Sequence, residues 1–250
     1  MIKNSVFISG SISIKILPKE VKESINKIID TQMPILVGDA NGVDSLVQDY
    51  CFSLNYFNVT VYSISAYPRY RASDNFSLKI ISVPSTIKGA RERQQEKDKA
   101  MTHDSQYSFI IWDGKSKGSY SNINRAFEQD KKIKLYLQDR FLGKSEIYSE
   151  NIEFIYRKNN GYTACEVVEY LKNGMDNIFN RTQDLNRWLI QNSIIKKDNN
   201  IYQPIRNYED LFIIDRYRGR VKGIKFRHEF LGWIEGSLKS NKIFVQGGLF

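Results

Sequence analysis

Two hydrophobic rhythms take turns along the first 140 residues. Residues 5–10, SVFISG, are a short apolar run closed by glycine, the pattern of a buried strand. Residues 18–30, PKEVKESINKIID, set Val21, Ile25, Ile28 and Ile29 on one helical stripe behind Pro18, a residue suited to a helix start. The order repeats as PILVG (34–38), the helix GVDSLVQDYCFSL (42–54) and the strand NVTVYSI (58–64). A long polar stretch, 65–88, holds one more strand candidate, FSLKIISV. ARERQQEKDKAM then reads as an exposed helix, YSFIIWDG as a strand, YSNINRAFEQD as a helix and KIKLYLQ as a strand. This alternation predicts an α/β domain over residues 1–145, a Rossmann-like parallel sheet flanked by helices.

After a linker at 146–160 the pattern changes, and residues 161–250 predict a small α+β domain. GYTACEVVEYLKNG opens with a Thr163-x-x-Glu166 capping box, carries Val167, Tyr170 and Leu171 on one face and stops at Gly174. TQDLNRWLIQNSII is amphipathic, KKDNNIYQPI predicts a hairpin turning on Asp198, Asn199 and Asn200, and FRHEFLGWIEGSL sends Phe230, Trp233 and Ile234 inward. Helices around a hairpin suggest a winged helix.

With 250 residues, 41% of them hydrophobic, the chain can fill two cores, which argues against disorder. A net charge of +9 favours a polyanionic or phosphorylated partner. Residues 1–145 carry 21 basic and 15 acidic side chains and the remainder 16 and 13, so neither half is a basic tail. Cys51 and Cys165 have no partner spacing for zinc or a disulfide framework, which fits a reducing cytoplasm. The N-terminus lacks the apolar core of a signal peptide, and no run is long enough to span a membrane. No cofactor and no metal site is expected.

Candidate chemistry gathers at strand ends. In GDANGVD, Gly38, Ala40 and Gly42 leave room for a ligand against the backbone, and the helix opening at Val43 offers N–H groups to an anion. Asp44 then caps that helix or accepts from a ribose hydroxyl. FISGSIS, GDANGVDSLVQDYC and IWDGKSKGSYSNINRAF, each following a strand, together resemble the SLOG superfamily over residues 3–138. That Rossmann-like group includes DNA-processing protein A, the LOG phosphoribohydrolases and several nucleotide-signal sensors. The resemblance implies a nucleotide-derived ligand spanning Ser9, Gly10 and Ser11, then Gly38 to Asp44 with Asp39, then Asp113, Gly114, Gly118 and Ser119. The family's enzymes carry a glutamate where Gly118-Ser119-Tyr120-Ser121-Asn122 ends in asparagine. An amide hydrogen-bonds a ribose hydroxyl but is neither nucleophile nor general base near neutral pH, so Asn122 favours a binder over a glycosidase.

Asp39, Asp44, Asp98, Asp104 and Asp113 are the carboxylates available to replace that glutamate, with Asp44 and Asp113 the catalytic candidates. Each is equally readable as a cap or surface charge. Arg91, Arg93 and Lys97 suit phosphates or a solvated helix face. His103 and His228 stand apart from any metal-ligand spacing.

The C-terminal part resembles the KilA-C domain of phage antirepressors, through Leu185-Asn186-x-x-Leu189, Lys197 to Asn200 and Tyr202-Gln203-Pro204. RYRGRVKGIKFR puts Arg216, Arg218, Arg220, Lys222, Lys225 and Arg227 in one run, the composition of a strand or wing tracking nucleic-acid phosphates, or of a guarded sheet edge. The first reading is a cytoplasmic protein that senses or sequesters a nucleotide signal, fused to a winged helix and acting in phage–bacterium conflict. The alternatives are an N-glycosidic-bond hydrolase or transferase and a DNA-binding protein. The partners expected are a nucleotide-derived small molecule, DNA at the last domain and a second copy of the chain, with no membrane.

Overall fold

The computed structural model describes residues 4–174, 178–217 and 219–246, in two compact units, Met1–Ile152 and Glu153–Phe250. The first is an α/β unit built on seven strands: β1 Val6–Gly10, β2 Ile35–Gly38, β3 Val59–Ser63, β4 Ser77–Ile80, β5 Tyr107–Trp112, β6 Lys132–Leu137 and β7 Arg140–Phe141. Their order is β4-β3-β2-β1-β5-β6-β7, and all pairings are parallel except the short β6–β7 hairpin. Helices α1 Lys19–Asp30, α2 Val43–Ser53, α3 Ala90–Asp104 and α4 Lys117–Glu128 flank the sheet.

Strand alternation assigns the two faces. Val6, Ile8, Val37 and Phe109 pack with Val21 and Ile25 of α1 and Val47 and Cys51 of α2. Phe7, Leu36 and Tyr62 point the other way and pack with Met101 of α3. The connection from β3 to β4 contains no helix, so residues 64–76 form a loop at the strand ends. Helix α3 is less exposed than its polar sequence suggests. Lys97, Met101 and Thr102 are buried, because a stripe of mixed polar and apolar residues faces the sheet.

The second unit holds α5 Ser149–Asn160, shared across the unit boundary, α6 Ala164–Gly174, α7 Thr182–Gln191 and α8 His228–Gln246. It also holds two antiparallel hairpins, β8 Ile195–Asp198 with β9 Ile201–Pro204, and β10 Phe212–Tyr217 with β11 Arg220–Phe226. Val167, Leu171, Leu185, Phe226, Phe230 and Ile234 share its core, with Trp233 packed against them. The first hairpin turns on Asn199 and Asn200, both at positive φ. The capping box forms as expected: Thr163 N donates to Glu166 Oε2 at 2.8 Å, and Glu166 N donates to Thr163 Oγ1 at 3.3 Å.

Two features differ from expectation here. The stretch 146–160, expected as a linker, contains the boundary between the two units and a helix that was not expected, α5, with only Ile152 buried, a single apolar anchor that polar neighbours hide in the sequence. Tyr170 is exposed and hydrogen-bonded to Glu235, while Val168 takes the inward place beside Val167 and Leu171. Cys51 is buried, its thiol pushed up to about 12 by desolvation, whereas Cys165 is exposed. No helix among the described residues is long and apolar enough to cross a membrane, and no cluster of three or more His, Cys, Asp or Glu there could hold a metal ion.

Candidate functional site

The carboxyl ends of β1 and β2 and the opening turn of α4 enclose, with α3, a cavity of about 310 Å³. Ser9 lies on the sheet face covered by α3, since it alternates with Ile8 and shares the side of Phe7. Its hydroxyl is buried without a hydrogen-bond partner, and so is Oε1 of Gln94, across the cavity on α3. An orphaned buried polar atom costs about 1–3 kcal/mol, so two among the residues lining one cavity mark a place that a polar ligand would complete.

The second wall is the first turn of α4. Ser116 caps it by accepting from Ser119 N, and Trp112 holds the cap by donating from Nε1 to Ser116 O at 3.2 Å while stacking on Tyr120. The first-turn N–H groups of Lys117 and Gly118 have no acceptor within the helix. Both residues line the cavity, with the helix dipole adding positive potential. Arg69, Arg91 and Lys117 also line the cavity, Arg69 with its guanidinium paired to Asp39.

Beneath the cavity lies a compact charge cluster. Lys97, almost fully buried, sits 3.3 Å from Asp98 and 3.6 Å from Asp39. Burial alone would push its ammonium down, but Asp98, Asp44 and Asp39 together hold it above its ordinary range. Asp39 is clamped by Arg69 at 2.6 Å and by Ser63 at 2.9 Å. Burial raises its carboxyl, yet these bonds and the Lys97 charge outweigh that and hold it below the usual range. Asp44 is different. Burial raises it to about 6 despite Lys97, with Asp98 adding to the rise, and its one hydrogen bond is from Ala40 N at 3.3 Å. Asp44 and Asp98 line the cavity whereas Asp39 stands behind it, and of the two lining carboxyls Asp44 is the one raised to about 6.

The glycines of GDANGVD serve a closer neighbour than any ligand. Gly42, at φ +84°, would bring a Cβ within 2.5 Å of Ile12 Cα, so the tight approach there is to the chain's own loop after β1. A Cβ on Gly38 would collide with Asp44 Oδ2 and Lys97 Nζ, the buried cluster itself. Neither glycine lines the cavity.

Of the remaining predicted residues, Gly10, Ala40, Arg91, Ser119 and Asn122 line the cavity. Ser11, Val43, Asp113 and Gly114 do not. Asp113 accepts from Ser13 Oγ at 2.6 Å, Ser116 N at 2.7 Å and Lys115 N at 2.9 Å, and Asp113 N donates to Ser11 Oγ at 3.1 Å. Burial would raise this carboxyl, but those donors hold it low, which makes it the tie between two loops. Asn122 accepts from Arg125, which lies 4.0 Å from Asp98. Arg93 turns away to the carbonyl of Ile87 at 3.2 Å, and Asp104 is held by Tyr62 and Lys79 outside the cavity. His103 is exposed, and His228 meets the Tyr162 hydroxyl at 3.2 Å and stacks edge-on to Phe154.

Sequence reasoning missed Arg69 and Gln94. Arg69 lies in the helix-free loop, and Gln94 on a helix with no apolar pattern to orient it.

In the second unit the basic run forms the end of β10 and most of β11. Arg216, Arg220, Lys222 and Arg227 are exposed, Lys225 lies 4.0 Å from Asp215, and Arg218 falls outside the described residues. Arg227 also donates from Nε to Phe212 O at 3.1 Å. The pairing steps from Asp215↔Gly223 to Arg216↔Val221, which leaves Lys222 as an extra residue and breaks the strict alternation that would have made one continuous basic face.

Neither a family model, nor a curated protein, nor a solved structure matches this chain.

Proposed function

We propose that the first unit binds a nucleotide or nucleotide-derived signal in the cavity at its strand ends. The observation that carries this reading is the pair of orphaned polar atoms, Ser9 Oγ and Gln94 Oε1, in a cavity that is also lined by the start of α4 and the cations Arg69, Arg91 and Lys117. Phosphates suit the α4 N–H groups and the cations, which are charge-assisted donors. Sugar hydroxyls suit Ser9, Asp44 and Asn122, which both donate and accept when Asp44 is protonated. The resemblance of the three strand-end loops to SLOG proteins supports the same ligand class.

The experiment is calorimetry with a panel of nucleoside mono- and diphosphates, dinucleotides and ADP-ribose-like compounds, alongside mass spectrometry of small molecules retained by the purified protein. A ligand from this class should bind at least tenfold more weakly to Lys117→Glu and to Ser9→Val. Absence of any retained nucleotide, together with a silent panel, sinks the reading.

A second reading rests on Asp44. A buried carboxyl raised to about 6 in a ligand cavity is suited to give or take a proton at a glycosidic bond, a task that Asn122 cannot perform. This enzyme reading requires base release from a nucleotide that Asp44→Asn abolishes without loss of binding.

For the second unit we propose a winged-helix module related to the KilA-C type, with DNA at the β10–β11 hairpin. The support is the exposure of Arg216, Arg220, Lys222 and Arg227.

A further inference from the structure

On the sheet face opposite the nucleotide cavity, α1 and α2 pack over the central strands, and Phe109 of β5 and Tyr136 of β6 share their core. There a second cavity of about 310 Å³ runs between α1 and β6. Its floor is apolar, built from Val6, Ile28, Met33, Tyr107 and Phe109. Its rim is cationic: Lys27 comes from α1, Lys132 and Lys134 come from β6, and no Asp or Glu lines it.

All three lysines are exposed, so the rim presents its positive charge to solvent. None of the three has a salt bridge among the described residues. Lys132 lies over the Tyr107 ring at 5.3 Å, and Lys134 lies over Phe141 at 4.5 Å and Phe109 at 5.6 Å while donating to Ser24 Oγ at 2.8 Å. Burial and the neighbouring Lys27 charge both push the Lys134 ammonium down, so a negative charge arriving beside it would be bound and would restore it. The groove thus asks for two things in one molecule, an apolar body and an anionic head. A second copy of a chain with a net charge of +9 brings the wrong sign.

We infer that this groove is a binding site for a free anionic amphiphile, an alkyl carboxylate of medium chain length, with its chain along Val6, Met33 and Phe109 and its carboxylate between Lys27, Lys132 and Lys134. The volume sits at the lower end of small-molecule sites, about 300–1,000 Å³, which selects a single chain over a two-chain lipid.

The two buried-face methionines make the test internal. Met33 lines this groove, whereas Met101 lines the nucleotide cavity. Full-length protein carrying ¹³C-methyl methionine is titrated with octanoate, decanoate and decyltrimethylammonium, all as monomers. Decanoate should shift the Met33 methyl signal and leave that of Met101 in place. Its affinity should exceed that of octanoate by roughly tenfold, from about three- to fourfold per buried methylene. Lys134→Met, which preserves the stem over the rings, and Lys27→Gln, at an exposed site without fold risk, should each weaken decanoate at least threefold. Equal binding of the cationic amphiphile, or no decanoate-induced change at Met33, overturns the proposal. So does a shift at Met33 caused only by an acidic amphipathic peptide, because the groove would then serve a protein partner.

Discussion

Lys97 Nζ lies 3.6 Å from Asp39 Oδ1, and both side chains are shut off from solvent. The pair joins α3 to the loop after β2 and lays the floor of the cavity. Removing one member of a buried ion pair strands the other, at a cost of about 3–5 kcal/mol. Lys97→Met should therefore destabilise the first unit by roughly that amount, because Asp39, Asp44 and Asp98 would face one another without their shared cation. Urea unfolding checks this, and a loss under about 1 kcal/mol would mean that Arg69 alone neutralises the cluster.

Asp44 predicts a pH dependence of the opposite sign to that of an ordinary paired carboxylate. Its folded value, about 6, lies above its ordinary 3.8, so between these values the folded state holds a proton that the unfolded state has released. Stability should fall as pH rises from about 4 to 6, by on the order of 3 kcal/mol, and then level off. Asp44→Asn should match the wild type near pH 4 and exceed its stability at pH 7. Thermal melts of both proteins across this range, showing parallel curves, would remove the raised carboxyl from the account.

Gly42→Ala should cost about 2 kcal/mol or more, since it combines a positive φ with a Cβ driven against Ile12. Weakened ligand binding in that variant would report a displaced loop and not a lost contact. A melting temperature within a degree of the wild type would show that the loop after β1 yields freely.

If the β10–β11 hairpin meets nucleic-acid phosphates, DNA affinity of the full chain should fall steeply with salt. Replacing Arg216 and Arg220 together by Ser should flatten the slope of log affinity against log salt by about two. Fluorescence anisotropy with labelled duplex across a salt series reads this directly. No binding at low salt would leave the run as a charged guard on a sheet edge.

The strand and helix alternation of the first unit was legible because buried parallel strands and one-sided helices impose periods that survive in any single sequence. Ser9, Gly10 and Ala40 could be named as cavity residues because strand ends in such sheets are where loops converge. Glycines 38 and 42 were legible as close approaches, but a sequence shows that bulk is absent and not which neighbour forbids it. Arg69 and Gln94 left no trace. Their positions depend on a helix-free crossover and on which way a polar helix rolls, and neither is written in hydrophobic spacing. The second hairpin shows the same limit, because one extra residue at Lys222 redirects a run that looks uniform in one dimension.

Strand β1 occupies the middle of the sheet although it comes first in the chain. Its one edge is closed by β2, from Val6↔Ile35 to Ile8↔Val37, and its other by β5, from Val6↔Tyr107 to Gly10↔Ile111. During synthesis the ribosome must therefore deliver Trp112 before the central strand is paired on both sides. Until then Phe7, Ile8 and their neighbours offer an open apolar edge, and non-local pairing of this kind is slow to form. Completion of the sheet's centre therefore waits on a segment about a hundred residues downstream of β1.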